Sequence, residues 1–221
     1  MQIRNHRLED GEGNPVKYQE TPNKSGGTIT PRYVIIHYTA GASLGSSVNW
    51  LTNPAAKASA HLVVGRDGDV VQLARFNRKT WHAGRSRWGD VIGLNSHSIG
   101  IELDNAGVLT QRADGSWVTS FGRTIASEEV VVARHKNAPE GSSERGWHAY
   151  TEDQLDTLKD ILAAISQKYE IEEILGHDDI APERKSDPGP AFPMTSVQAR
   201  HAGRDNDDEP DPFDGPVMGP V

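Results

Sequence analysis

One short loop in the last quarter of the chain carries more chemistry than a connection needs. The run Gly176-His177-Asp178-Asp179-Ile180-Ala181-Pro182-Glu183-Arg184-Lys185-Ser186-Asp187-Pro188-Gly189 follows an apolar segment and gathers an imidazole, a lysine and several carboxylates. An imidazole with a carboxylate suits a divalent cation, and an ammonium suits an oxygen that gains charge during a reaction. His177 and Asp187 are therefore candidate metal ligands, with Lys185 over the reacting group. The 221 residues include no cysteine, so a metal must be held by His, Asp or Glu, and the nine histidines are the natural pool.

A third ligand has to come from elsewhere. His37 lies in Tyr33-Val34-Ile35-Ile36-His37-Tyr38, a β-branched and aromatic run that reads as a buried central strand. A lone histidine there would ordinarily be a hydrogen-bonded core residue. The candidates at 177 and 187 turn the balance toward a ligand, because two imidazoles and one carboxylate form a catalytic zinc set with one position left open. Zn2+ is thus the expected cofactor. Such chemistry needs a base. Glu102, near the end of Ser98-Ile99-Gly100-Ile101-Glu102-Leu103, could reach inward as one, the plainer alternative being an edge carboxylate facing water.

The elements that must position these residues follow from pattern. Residues 1–30 are polar and punctuated by glycine and proline, and read as an irregular arm. After the strand at 33–38, residues 46–51 suit a short helix that ends at Asn53-Pro54. The runs 61–65 and 69–74 flank Arg66-Asp67-Gly68 and predict a hairpin. Residues 106–150 look like an insertion with weak strand signals near 117–119 and 130–132. The clearest helix spans 152–169, with Thr151 as N-cap and Leu155, Leu158, Ile161, Leu162 and Ile165 on one face. A strand end at 171–175 leads into the opening loop, and 195–202 suits another short helix. The expected fold is α/β, with a mixed central β-sheet flanked by helices in one domain over 31–202. Residues 203–221 read as an acidic, proline- and glycine-rich tail without order.

Charge narrows the partners. The net charge is −8, of which six acids and one arginine after Gly203 supply −5, leaving −3 on the body. No basic stripe argues for nucleic acid. No apolar run reaches the roughly 18 residues of a membrane span. The N-terminal residues lack the apolar core of a secretory leader, so a cytoplasmic setting is expected, with release from the cell by lysis or another route as the alternative.

Taken together, Val34-Ile35-Ile36-His37, Ser59-Ala60-His61, Arg66-Asp67-Gly68, Trp81-His82-Ala83-Gly84, Ser98 through Leu103, and Gly176-His177 through Lys185-Ser186-Asp187-Pro188-Gly189 form a specific ordered set. In this set the chain resembles the zinc-dependent N-acetylmuramoyl-L-alanine amidases of the amidase-2 family, the AmpD-like branch related to peptidoglycan recognition proteins. The resemblance implies zinc on His37, His177 and Asp187, a catalytic Glu102, and Lys185 as the oxyanion partner. It implies hydrolysis of the amide between the lactyl group of N-acetylmuramic acid and L-alanine, on peptidoglycan or a muropeptide. A monomer is expected. His61, Trp81, His82 and Ala83 are expected at the substrate groove, an indole face suiting sugar and peptide packing. In the phage-lysozyme branch a tyrosine precedes the position of His61. Here it is Ala60, which leaves the base to Glu102.

Two rivals remain. Gly41-Ala42-Ser43-Leu44-Gly45 matches a nucleophile elbow, although the chain lacks the repeated βαβ alternation of a serine hydrolase of that kind. A non-catalytic peptidoglycan-binding module is the other, disfavoured because every ligand position, Glu102 and Lys185 are filled.

Overall fold

The computed structural model describes residues 1–203, so the expected tail lies almost wholly outside the described residues. Three short strands open the chain: β1 (Gln2–Arg4), β2 (Arg7–Glu9) and β3 (Lys17–Tyr18). They are followed by β4 (Tyr33–Tyr38), α1 (Leu44–Leu51), β5 (Leu62–Val64), β6 (Val70–Gln72), β7 (Arg87–Trp88), β8 (Val91–Ile92) and β9 (Ser98–Leu103). The insertion holds β10 (Val108–Gln111), β11 (Trp117–Val118), β12 (Thr124–Ile125), β13 (Val130–Ala133) and β14 (Arg145–His148). The chain then runs through α2 (Glu152–Lys168), β15 (Glu173–Gly176), α3 (His177–Ile180) and α4 (Met194–His201).

A six-stranded mixed sheet, ordered β15-β4-β9-β5-β6-β3, carries the molecule. The strands β15, β4, β9 and β5 run parallel, and β6 returns antiparallel to β5 through the Asp67-Gly68 turn. Alternation along the strands sorts their side chains by face. Val34 and Ile36 of β4, with Ile99, Ile101 and Leu103 of β9, pack against Leu155, Leu158, Ile161, Leu162 and Ile165 of α2. Tyr33 and Ile35 point the other way, into a smaller cluster with Ala83, Leu94, Leu175 and Ile180. His37 continues the second series. Burying each of those helix side chains is worth roughly 1.5–3 kcal/mol, so α2 is the main anchor of the sheet.

Helix α2 forms as its sequence suggests. Thr151 accepts from the Gln154 N–H at its start, Glu152 and Asp153 sit in the first turn, and Lys168 in the last. The Gln154 side chain does not return to the cap. It donates instead to the carbonyls of Val64 and Asp104, at 3.0 and 3.2 Å, and so ties the helix start to the strand ends.

The first 30 residues differ from the irregular arm expected. Strands β1 and β2 form a hairpin around Asn5 and His6, both at positive φ, and β3 adds to the sheet edge beside β6. Leu8 is fully buried in the core shared with α2. The pattern was invisible because one apolar residue in a polar three-residue strand has no periodicity. The insertion is likewise more ordered than its weak signals suggested: a five-stranded antiparallel sheet, β12-β11-β10-β14-β13. Asn105 joins the two sheets, donating to the carbonyls of His148 and Ala149.

Candidate metal centre

The site is built at the carboxyl ends of three adjacent parallel strands. His37 is next to last in β4, and its register partner on β9 is Glu102. On the other side Gly176 of β15 pairs with Ile36, so His177, one residue on, comes level with His37. Gly176 is required for this approach, because a Cβ there would collide with the Asp178 side chain and with Pro188. Strand ends at the same edge of a parallel sheet are where such folds gather their ligands.

Asp187 arrives from the loop after α3, which is fastened at several points. The Asp178 N–H donates to the Asp187 carbonyl at 2.8 Å, Tyr38 and Ser186 share a hydroxyl bond of 2.9 Å, and Tyr150 donates to the Pro188 carbonyl at 2.8 Å. The result is a small triangle. His37 Nδ1 and His177 Nδ1 are 3.0 Å apart, and each is 2.9 Å from Asp187 Oδ2. All three residues are buried.

The donor set fits a metal. Tetrahedral bonds of about 2.0–2.1 Å give ligand-to-ligand edges of about 3.3 Å, close to the observed triangle. His177 Nε2 lies 3.1 Å from the Ala83 carbonyl, which can only accept, so that nitrogen holds the proton and Nδ1 presents a lone pair. The Asp187 oxygen presents another. Burial alone would raise the Asp187 carboxyl, but the His177 and His37 rings outweigh it and hold the group well below its ordinary range. His37 is lowered to about 4, first by burial and then by its neighbour His177, so it is neutral at pH 7. A neutral imidazole pair and a carboxylate, facing one another at contact distance, form a cradle for a cation.

Glu102 stands beside this cradle. Its Oε2 is inaccessible and makes no hydrogen bond, and burial, reinforced by Asp187, raises its pKa well above 4.5, with Lys185 pulling the other way. A carboxylate with a raised pKa and a free oxygen is suited to act as a general base. The cleft next to it is lined by Thr39, Ala40, Gly41, Ser46, Ser47, Trp50, Leu51 and Glu102. Ser47 Oγ is also buried without a partner.

The four residues expected at the groove have specific places. Trp81 is partly buried and its Nε1 donates to Ser25 Oγ at 3.0 Å. His61 is fully buried, with Nδ1 accepting from the Gly100 N–H at 3.0 Å and Nε2 2.7 Å from the Arg78 carbonyl, so its ring faces protein on both sides. His82 sits with Nδ1 3.0 Å from His37 Nε2 and Nε2 3.2 Å from Ser98 Oγ. Burial, with His37 next, holds it well below 6.5. Ala83 is fully buried and offers its carbonyl to His177 and to Arg184. Asn95 Oδ1 accepts from the backbone N–H groups of both His82 and Ala83, at 3.0 and 2.7 Å, and pins that loop. Asp178 and Asp179 engage His135, Lys136 and the Gly176 N–H, away from the triangle. Ser43 of the nucleophile-elbow pattern is the N-cap of α1 and accepts from the Ser46 N–H.

A protein-family model described as N-acetylmuramoyl-L-alanine amidase matches residues 27–190. The chain belongs to this amidase-2 family. Among curated amidases, the 1,6-anhydro-N-acetylmuramyl-L-alanine amidase AmpD of Escherichia coli K12 is 31% identical over 138 residues, 62% of this chain and 54% of AmpD. The N-acetylmuramoyl-L-alanine amidase AmiD of the same organism is 31% identical over 198 residues, 84% of this chain and 59% of AmiD. The chain thus spans little more than half the length of these two curated amidases. The amidase fold is shared with an AmpD derivative crystal structure at TM-score 0.58 and 22% identity, covering 90% of this chain and 99% of that one. The E. coli AmiD structure, a complex with anhydro-N-acetylmuramic acid-L-Ala-D-γ-Glu-L-Lys, matches at TM-score 0.55 and 26% identity, covering 88% of this chain and 65% of AmiD.

Proposed function

We propose that this chain is a zinc-dependent amidase that hydrolyses the bond between the lactyl carbonyl of N-acetylmuramic acid and the amino group of L-alanine in a peptidoglycan stem. The observation that carries the proposal is the convergence of two imidazole Nδ1 atoms and one Asp187 oxygen within 2.9–3.0 Å, beside Glu102, whose inaccessible Oε2 makes no hydrogen bond. His37, His177 and Asp187 would hold the ion, which when bound supplies Lewis-acid polarisation of the carbonyl and acidifies water. Glu102 takes the proton of the attacking water and returns it to the departing alanine nitrogen. Lys185, whose charge already acts on Glu102 and His37, faces the oxygen that becomes negative. The cleft floored by Ser47 and rimmed by Trp50 receives the substrate. Its chemistry suits a soluble muropeptide as well as polymer, and a recycling role would set the reaction in the cytoplasm.

The test is chelation and repletion on an anhydromuramyl peptide. Activity should vanish with the metal and return with zinc, and the Asp187→Ala variant should neither bind zinc nor turn over. Turnover by fully chelated protein would refute the proposal.

A further inference from the structure

The tautomer of His37 decides whether the triangle can hold a cation. With the proton on Nδ1, His37 would simply donate to Asp187 and close the site as a hydrogen-bonded cluster. With the proton on Nε2, three lone pairs converge. Within the zinc-free triangle His177 Nδ1 and Asp187 Oδ2 are both acceptors and draw the proton toward His37 Nδ1, so the metal-binding form needs a stronger preference from outside the triangle.

The choice is made on the other side of the ring. Ser98 Oγ is 2.6 Å from the Leu94 carbonyl and 3.2 Å from His82 Nε2. A carbonyl only accepts, so the single Ser98 proton points at Leu94 and the Ser98 oxygen is left to accept. His82 Nε2 must then carry a proton. The ring contacts of buried His82 are Ser98 and His37, neither of them an acid that would hold a second proton, so Nδ1 is a lone pair, 3.0 Å from His37 Nε2. That contact is satisfied only when His37 is protonated at Nε2, which leaves Nδ1 bare toward the triangle. We infer that Leu94 O, Ser98 and His82 form a one-way hydrogen-bond relay that locks His37 in its metal-binding tautomer, making His82 and Ser98 positioning residues.

The fold is shaped around this relay. Ser98, Gly100 and Glu102 alternate along one face of β9, opposite the apolar series Ile99, Ile101 and Leu103. A Cβ at Gly100 would overlap the His82 ring, so the glycine makes the space in which the imidazole lies. Asn95 fixes the His82 backbone from the other side. His177 needs no relay, because the Ala83 carbonyl orients it directly. Metal-ligating histidines usually rely on such an outer partner for tautomer and orientation.

The inference rests on His37 being a metal ligand, and the experiment keeps the two apart. Long-range proton–nitrogen NMR correlations on zinc-free protein report each ring's tautomer, and chelator competition reports zinc affinity. The zinc-free wild type should show His37, His82 and His177 all protonated at Nε2. His82→Leu removes the acceptor and should weaken zinc binding on the order of 10- to 100-fold, while His82→Asn, whose Oδ1 stands near the place of Nδ1, should recover most of it. Ser98→Ala should release the His82 tautomer and weaken binding, and Ser98→Thr should restore both. A wild-type His37 protonated at Nδ1, or unchanged zinc affinity in both His82→Leu and Ser98→Ala, would overturn the relay. If Asp187→Ala also left zinc binding unchanged, the metal reading itself would fall.

Discussion

At the scale of single residues, Glu102 and Asp187 show how one buried site sets two carboxyls apart. Asp187 has imidazole partners and is held ionised, whereas Glu102 has none on Oε2 and is pushed upward. Glu102→Gln should therefore lower kcat by roughly 10²–10⁴-fold with zinc content unchanged, read by steady-state kinetics beside metal analysis. Asp187→Ala should lose the zinc itself. His61 gives a stability prediction with a defined sign. Its folded pKa is lowered to about 4, chiefly by burial, from 6.5. Above 6.5 both folded and unfolded forms are neutral, and as pH falls toward 4 the unfolded chain takes up the proton first. Stability is thus full above 6.5 and declines between 6.5 and about 4, by at most about 3 kcal/mol from this residue. The gap between urea midpoints of zinc-free protein at neutral and mildly acid pH should narrow when His61 is replaced by Gln, the rest of it coming from His37, His82 and His148. The residues of the triangle could be named from sequence because their spacing and types repeat a known set. The roles of His82 and Ala83 could not, since they depend on which atom faces which: one lends a ring nitrogen to His37 and the other a carbonyl to His177.

At the scale of elements, the parallel trio β15-β4-β9 aligns His177, His37 and Glu102, and α2 clamps the trio from the opposite face. Leu158 is almost fully buried in that clamp. Leu158→Ala should cost about 2–5 kcal/mol of folding stability, measured by denaturant unfolding, while the folded fraction keeps its zinc affinity. An equal loss of both would mean that α2 shapes the site as well as supporting it. Helix α2 was readable from its 3.6-residue period, and β4 and β9 from apolar runs rich in β-branched residues. One signal in β9 went unused: its alternation already placed Ser98 and Gly100 on the face of Glu102. Strands β10 to β14 were mostly missed because they are short, half exposed, and interrupted by turns such as Asp114-Gly115.

At the scale of the whole molecule, metal binding and folding should be linked. The triangle draws its ligands from β4, α3 and the following loop, so an ion bound there stabilises only the folded chain. At zinc a thousandfold above Kd the gain is about 4 kcal/mol. For a protein of this size that corresponds to a rise of roughly 8–16 °C in Tm between chelated and zinc-loaded protein, measurable by scanning calorimetry. Asp187→Ala should abolish the difference. The acidic segment after Gly203 should have little part in this, since the ligands all precede it.

The most direct measurement is hydrolysis of an anhydromuramyl peptide in oxygen-18 water, with mass spectrometry of both products. We expect one heavy oxygen in the lactyl carboxylate of the sugar fragment, an unlabelled peptide beginning with free L-alanine, and formation of both products slowed by roughly 10²–10⁴-fold in Glu102→Gln. Label in the peptide fragment, or cleavage at any other bond, would contradict the assignment of this site to the muramoyl–alanine amide.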